Sequence, residues 1–267
     1  MSSDSAAVDG EKGIDAPTLT AVVLTLNEAR HLPDCLLSLA WADRILVLDS
    51  GSQDDTLAIA HRAGAEVAVH RFENYSRQRQ HALGLVDGPW ILFVDADERV
   101  PADLAEEIQR VVVGADAQSA YRMPRHNEFF GRRLRGGGWW PDEQLRLLRV
   151  DRARFDPERA VHELAEISGP IGRLQGALRH INYESRREFH AKQRAYAGLE
   201  VQRRLAEGQR PRPHNLVLQP LRELRRRLWT LAGWRDGALG LELALSMAAW
   251  ELWTLLELSR IRRSTRP

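Results

Sequence analysis

Asp95 and Asp97 stand two residues apart, directly behind the apolar run Trp90-Ile91-Leu92-Phe93-Val94, in the tetrapeptide Asp95-Ala96-Asp97-Glu98. Paired carboxylates are hard oxygen donors, suited to Mg²⁺ or Mn²⁺ shared with the phosphates of a substrate. Further groups able to do chemistry lie downstream: His162 and Glu163 in Val161-His162-Glu163, and Asp142 after Gly136-Gly137-Gly138-Trp139-Trp140. His162 is a candidate third metal ligand, since imidazole accepts Mn²⁺, although a lone histidine is more often structural. Asp-x-Asp alone also describes a solvated acidic turn, so its meaning depends on the elements that position it.

Those elements are readable. Trp90–Val94, bounded by Gly88-Pro89, has the pattern of a buried strand, and Asp95 and Asp97 would emerge at its C-terminal end. Two earlier runs do the same. Leu19 to Leu24 ends in Thr25-Leu26-Asn27-Glu28, and Arg44 to Leu48 ends in Asp49-Ser50-Gly51-Ser52. Each is followed by a helical pattern, through Leu32, Leu36 and Leu39 and then Leu57, Ala60 and Ala63. Ser52 with Asp55 forms a capping-box variant that predicts a helix start, Gly64 predicts its end, and Glu66 to Val69 reads as the next strand. Alternating strands and helices with short connections indicate a parallel, doubly wound sheet with right-handed crossovers. All the polar strand ends then fall on the ligand-binding edge of such a sheet.

Taken with Tyr75-Ser76-Arg77-Gln78-Arg79-Gln80, these strand ends resemble the nucleotide-sugar half of an inverting family-2 glycosyltransferase of GT-A fold. Gly137-Gly138-Trp139-Trp140-Pro141-Asp142, Gln144-Leu145-Arg146-Leu147-Leu148-Arg149 and Val161-His162-Glu163 resemble a narrower branch. That branch contains the lipopolysaccharide-core β-1,4-glucosyltransferases. The similarity runs from about Thr18 to Tyr183, and several separated motifs in order are more specific than any one of them. It implies an α/β fold: a GT-A, Rossmann-like mixed sheet flanked by helices, with a C-terminal helical appendage. The organisation expected is a disordered leader over 1–16, the GT-A domain over 17–184 and a helical region over 185–267.

The resemblance also implies roles. Asp49 would accept a hydrogen bond from the base, and Thr25, Asn27 and Glu28 would line the base and ribose pocket. Arg79 resembles the arginine that contacts base or diphosphate, with a plain helix-surface charge as the competing reading. Independently of family, a nucleoside diphosphate leaving group needs its growing charge neutralised, which a divalent ion does as a Lewis acid. Asp97 is the first choice as direct metal ligand, with Asp95 acting through the ribose or a metal-bound water. An inverting transfer also needs a general base from the acceptor side. Glu163 is the first candidate and Asp142 the second. The triple glycine with two tryptophans suits mobile backbone and stacking faces closing over a sugar, though tryptophans are also ordinary core material. Glucose is favoured by resemblance only.

Composition excludes other classes. At 267 residues with 43% hydrophobic content, the chain can bury one substantial core, or one core and an appendage. A net charge of +1 argues against a nucleic-acid binder. The single cysteine, Cys35, lies among leucines in the first predicted helix and reads as an inert core thiol. The first residues lack an apolar signal-peptide core, so a cytoplasmic site is expected. The Gly-x-Gly-x-x-Gly of a dinucleotide-binding enzyme is missing after the first strand. So is the glycine-rich basic loop of a nucleotidyltransferase. A degenerate transferase domain serving as scaffold or membrane-surface module is the non-enzymatic alternative, opposed by retention of Asp49, Asp97 and Glu163 together.

Past Tyr183 three helices are expected. They cover Arg186 to Glu207, a second with Leu221, Leu224, Leu228 and Leu231 opposite Arg222, Arg225, Arg226 and Arg227, and a third from about Leu239 to Leu258. Glu242, Glu251 and Glu257 argue against the last as a membrane span. Two readings stay open. The helices pack on the catalytic domain or a second subunit, giving a homo-oligomer, or they lie at the inner membrane face with arginines on anionic headgroups and Trp229, Trp234, Trp250 and Trp253 at the boundary. The partners expected are a nucleotide-sugar donor and a glycolipid or saccharide acceptor.

Overall fold

The computed structural model describes residues 19–158 and 165–264. The expected leader over 1–16 falls outside them. The first part of the chain runs β1 (Leu19–Thr25), α1 (Leu32–Ser38), β2 (Arg44–Asp49), α2 (Thr56–Arg62), β3 (Glu66–Val69), α3 (Tyr75–Leu83) and β4 (Trp90–Asp95). The middle adds β5 (Glu98–Arg99), α4 (Ala102–Val113), β6 (Ala120–Phe129), β7 (Arg132–Arg133), β8 (Glu143–Arg149), β9 (Ala153–Arg154) and β10 (Glu166–Ile167). Then come β11 (Ile171–Arg173), β12 (Leu178–Tyr183), α5 (Arg186–Ala206), α6 (Asn215–Arg225) and α7 (Gly237–Ser264). Within the described residues the chain divides into two compact units. One takes the chain up to Asp95 with Ala105–Tyr121 and Arg146–Gly172, and the other takes Ala96–Leu104, Arg122–Leu145 and the chain from Arg173.

In the first unit β3, β2, β1 and β4 lie side by side in parallel, as the alternating pattern predicts. The near-continuous apolar runs of β1 and β4 suit strands buried on both faces, while β3 is the exposed edge. Register fixes the functional edge: Thr25 pairs with Asp49, and Leu24 with Asp95, so three strands deliver their polar ends together. On the far side of β4, β8 pairs antiparallel through Ile91↔Leu148 and Leu92↔Leu147, making the sheet mixed. Cys35 is fully buried, as its leucine neighbours predict. The capping box at Ser52 does not form. Helix α2 begins at Thr56 after an Asp55 that makes no side-chain cap, and Ser52 is spent on the strand end instead.

In the second unit β12 pairs parallel with β6 and antiparallel with β5, placing His180 beside Asn127 on one side and Glu98 on the other. Phe129 at the end of β6 is the centre of an apolar core with Leu134, Tyr183, Phe189, Leu239 and Leu243, which seats α5 and α7. Helix α7 also packs along α6. Its 28 residues rise about 42 Å at 1.5 Å each. By length and composition the stretch Gly233–Arg263 is sufficient to cross a membrane, with mean hydropathy 1.3 and 39% of the apolar window buried. The core helix of a soluble protein meets the same measure, so it does not overturn the expectation that the three glutamates argue against a span. Glu242, Glu251 and Glu257 are paired with Arg186, Arg204 and Arg260.

The triple glycine is not a mobile flap. The Gly137 amide donates to the Leu231 carbonyl at 2.7 Å, and its own carbonyl accepts from Arg227 Nη1 at 2.7 Å. The Arg227 guanidinium also lies over the Trp139 ring, 4.5 Å from its centroid. A Cβ on Gly136 would stand 2.2 Å from the Ala232 carbonyl oxygen, and one on Gly233 2.6 Å from that of Arg227. Glycine is required here because two backbones touch. Gly136→Ala should therefore lower the Tm, with about 1–3 kcal/mol lost to overpacking. Gly198→Ala on α5, where an added methyl meets open space, should raise it by about 1 kcal/mol or less. Thermal melts of both variants check this.

Candidate active site

The edge where β1 and β2 end is built around Asp49, which is fully buried. Its Oδ1 accepts from the Gly51 and Ser52 amides at 2.8 and 2.7 Å. Its Oδ2 accepts from the Thr25 hydroxyl at 2.8 Å and the Ser52 hydroxyl at 2.5 Å. Burial by itself would push this carboxyl up, but the donors from Ser52, Thr25 and Gly51 outweigh it and hold Asp49 below the usual carboxylate range. Gly51 takes φ +100°, a conformation only glycine adopts freely, which turns the loop back over the carboxylate. Both Asp49 oxygens are thus occupied by the protein, and what faces outward is the loop that it holds.

Asn27 sits at φ +57°, with its amide donating to Ser52 Oγ and its side-chain oxygen accepting from the Gln53 amide, both at 2.8 Å. Glu28 donates its amide to Thr56 Oγ1, and its carbonyl accepts from the Leu32 amide where α1 starts. Thr25, Asn27 and Glu28 therefore form a rigid rim around the Asp49 loop. Arg79 is not a surface charge. It is 15% exposed, lies 5.6 Å over the Phe93 ring and reaches to 4.0 Å from Asp95 Oδ1. Arg146, from within β8 and only 3% exposed, pairs with both oxygens of Asp95. Asp95 is thus engaged by two guanidiniums, a setting unlike that of a direct metal ligand.

In the second unit Asp97 Oδ2 faces His180 Nε2 at 3.2 Å. The Asp97 carbonyl accepts from the Ile181 amide at 2.9 Å, which ties the carboxylate-bearing turn to β12. A carboxylate oxygen and an imidazole nitrogen are both donors that Mn²⁺ accepts, so the donor set fits such an ion. Among the described residues no cluster of three or more His, Cys, Asp or Glu side chains gathers around one point. The pair would complete its coordination from substrate oxygens and water, the ordinary arrangement for Mg²⁺-type sites.

Asp142 is heavily committed. It accepts from Arg125 Nε at 2.8 Å, Asn127 Nδ2 at 3.0 Å and Gln144 Nε2 at 2.7 Å, while Arg125 also holds buried Glu98 at 2.9 Å. Burial would raise its pKa, but the Arg125 charge and these hydrogen bonds prevail and keep the carboxyl below its ordinary value. A general base works best with a pKa near the working pH and a lone pair facing its proton. The surroundings of Asp142 are those of an anchor. His162 and Glu163 lie outside the described residues. Just before them, the Pro157 carbonyl accepts from Asn74 Nδ2 and Arg77 Nε, and Glu158 pairs with Arg77 at 2.8 Å. The segment thus leaves from a fixed point on α3.

His180, Asn127, Arg125 and Arg146 were not singled out by sequence. Arg146 is a polar residue between leucines, a signal of a buried charge, whereas Arg125 and Asn127 stand in the polar run Arg125-His126-Asn127-Glu128 and His180 follows Arg179, where nothing local marks them as buried.

The glycosyl transferase family 2 model matches residues 20–167. The chain is 29% identical over 247 residues to the lipopolysaccharide core biosynthesis glycosyltransferase LpsC of Rhizobium meliloti, covering 88% of this chain and 90% of that one. It is 37% identical over 108 residues to an uncharacterized glycosyltransferase of Rickettsia felis, spanning 38% of that protein. Among solved structures it is similar to S. aureus TarS, with TM-score 0.45 and 18% identity over 69% of this chain and 39% of that one. It is also similar to glucosyl-3-phosphoglycerate synthase from Mycobacterium tuberculosis, with TM-score 0.36 and 22% identity over 42% of this chain and 44% of that one.

The depressed Asp142 carboxyl makes stability depend on acid. Its contribution is complete above the unfolded carboxylate value of about 4 and is lost as pH falls through the lower folded value. Wild-type denaturant midpoints should fall as pH drops below about 4. The fall should be shallower for Asp142→Asn, followed by tryptophan fluorescence across that range.

Proposed function

The chain belongs to glycosyl transferase family 2, and on that premise we propose that it transfers a sugar from a nucleotide-sugar donor to a lipid-linked or saccharide acceptor in cell-envelope glycan synthesis, with inversion at the anomeric carbon. Glucose is the sugar favoured by resemblance. The observation that carries the reading is Asp97, just past the end of β4 and facing an imidazole nitrogen on β12. LpsC, similar over most of its length, acts in lipopolysaccharide core biosynthesis by its name, which supports an envelope glycan as product.

Asp97 and His180 are the residues that would hold Mg²⁺ or Mn²⁺, with His162 kept as a further candidate ligand. The ion supplies Lewis-acid neutralisation of the departing diphosphate. The other tasks fall to the chain itself. The Thr25–Asp49–Ser52 triad holds the rim against which base and ribose are placed, so Asp49 acts through its loop. Arg79 contributes positive charge beside Asp95, which is left to the donor ribose. Glu163 takes the proton of the acceptor hydroxyl as it attacks, and Asp142 anchors the acceptor side.

Incubation with a panel of nucleotide sugars and Mn²⁺, measuring nucleoside-diphosphate release, tests the activity. Asp97→Asn should lose turnover by orders of magnitude while folding normally, and near-wild-type activity of that variant in chelator would sink the metal role. Glu163→Gln should lower transfer by about 10²–10⁴-fold with donor affinity nearly intact. A dead Asp142→Asn beside an active Glu163→Gln would exchange the two roles.

Peripheral attachment to an anionic membrane belongs to the same reading, supported by how the arginines partition. Arg226 and Arg227 both pair with Glu223 at 2.8 Å. Arg222 and Arg225 make no ion pair among the described residues. Contrary to the expected opposition of Leu221 to the arginines, they share one helix face, at i, i+3, i+4 and i+7, with Leu218 and Leu221, which are 43% and 55% exposed, and Trp229, 66% exposed, follows a turn later. Arg222→Gln and Arg225→Gln should each weaken co-sedimentation with anionic vesicles about fivefold at low salt. Arg226→Gln should change it far less. Absence of binding to anionic vesicles at low salt would leave this face as a packing or dimerisation surface.

A further inference from the structure

Asn127 is 2% exposed in the interior of β6, with every atom of its amide engaged. Its Nδ2 lies 2.9 Å from the Trp139 carbonyl oxygen and 3.0 Å from Asp142 Oδ2. Both are acceptors only, since a carbonyl carries no hydrogen and Asp142 is kept ionised beside Arg125. The amide therefore cannot be turned over. Its Oδ1 points the other way, where it accepts from Asn182 Nδ2 at 3.1 Å and meets His180 Nδ1 at 2.7 Å. An amide oxygen can only accept, so His180 Nδ1 carries a hydrogen. The strand register that sets His180 opposite Asn127 builds this contact into the sheet.

The consequence reaches Asp97. With the hydrogen committed to Nδ1, a neutral His180 presents the bare lone pair of Nε2 to Asp97 Oδ2, 3.2 Å away. Two acceptors facing each other at that distance repel unless a second proton on Nε2 or a metal ion lies between them, and the two cases differ in whether Nε2 carries hydrogen. We propose that Asn127 is a positioning residue that locks the His180 ring and its tautomer, so that Nε2 and Asp97 are ready to take a divalent cation together. This rests on the metal reading of Asp97 and His180. Histidine ligands are commonly oriented in this way through their second nitrogen, most often by a carboxylate or a backbone carbonyl. Here a neutral amide does so, and the carboxylate Asp142 stands one step further out, fixing the amide.

The test uses the full chain. Long-range ¹H–¹⁵N spectra with saturating Mg²⁺, with the His180 signals identified from their loss in His180→Gln, should show hydrogen on Nδ1 and none on Nε2. Hydrogen on Nε2 in the Mg²⁺-saturated protein would overturn the proposal. Mn²⁺ affinity, from the electron paramagnetic resonance of the free ion without any donor sugar, should fall about 10–100-fold in Asn127→Ala. It should remain near wild type in Asn182→Ala, which removes a donor to the same oxygen without touching His180. Wild-type affinity in Asn127→Ala, with affinity lost in His180→Gln, would dismiss Asn127 and leave the metal reading standing. Wild-type affinity in His180→Gln would remove both. The wild-type spectrum decides the tautomer even if Asn127→Ala does not fold.

Discussion

A guanidinium buried as deeply as that of Arg146 needs a counter-charge, because an isolated ion in the interior costs far more than its packing returns. That charge is Asp95, and the pairing settles much else in the first unit. It draws β8 into register beside β4 and holds the end of β4 at a defined height. It also brings Arg79 across the Phe93 ring toward the same carboxylate. A strand end that might have frayed into solvent becomes a fixed platform, and Asp97, two residues further along, begins from a constrained position. The same logic recurs at buried Asp49 and half-buried Asp142, where each carboxylate is met by several donors. Catalytic geometry in such a protein is a by-product of satisfying buried charge.

What the sequence disclosed and what it withheld follow from the range of the interactions. The strands through Leu19, Arg44 and Trp90 were legible because apolar runs ending in charge are local patterns, and so were the helices after them. The importance of Asp97 followed from its place behind one such run. Asn127 and His180 were not legible, because they are 53 residues apart and become neighbours only through the pairing of β6 with β12. Ser52 illustrates a local pattern overridden by a distant partner. Its spacing to Asp55 suits a helix cap, yet its hydroxyl finds a stronger acceptor in buried Asp49. Arg225, Arg226 and Arg227 look alike as a run, and only the pairing of Arg226 and Arg227 with Glu223 sets them apart from Arg225.

The net charge is near zero because acids nearly equal bases in number, and in the C-terminal helices many of the two are paired directly. Glu200, Glu223, Glu251 and Glu257 each hold one or two guanidiniums within or between the C-terminal helices. For Glu200, hydrogen bonds from Arg203 and Arg204 carry the carboxyl down to about 2. Exposed pairs of this kind contribute little stability each.

The contact between the Gly136–Gly138 turn and the backbone around Leu231 to Gly233 bears on how this protein can be trimmed. The Gly137 amide finds its acceptor there, the Arg135 amide finds one in Asp236 at 2.7 Å, and Phe129 is covered by Phe189 and Leu243. A chain shortened after β12 would strip partners from the turn that leads into Asp142 and uncover the aromatic centre of its own sheet. The C-terminal helices therefore cannot be discarded to obtain a smaller transferase. They are to Asp142 and Asn127 what a keystone is to the stones beside it, placed late along the chain and needed by the turn and sheet end they cover.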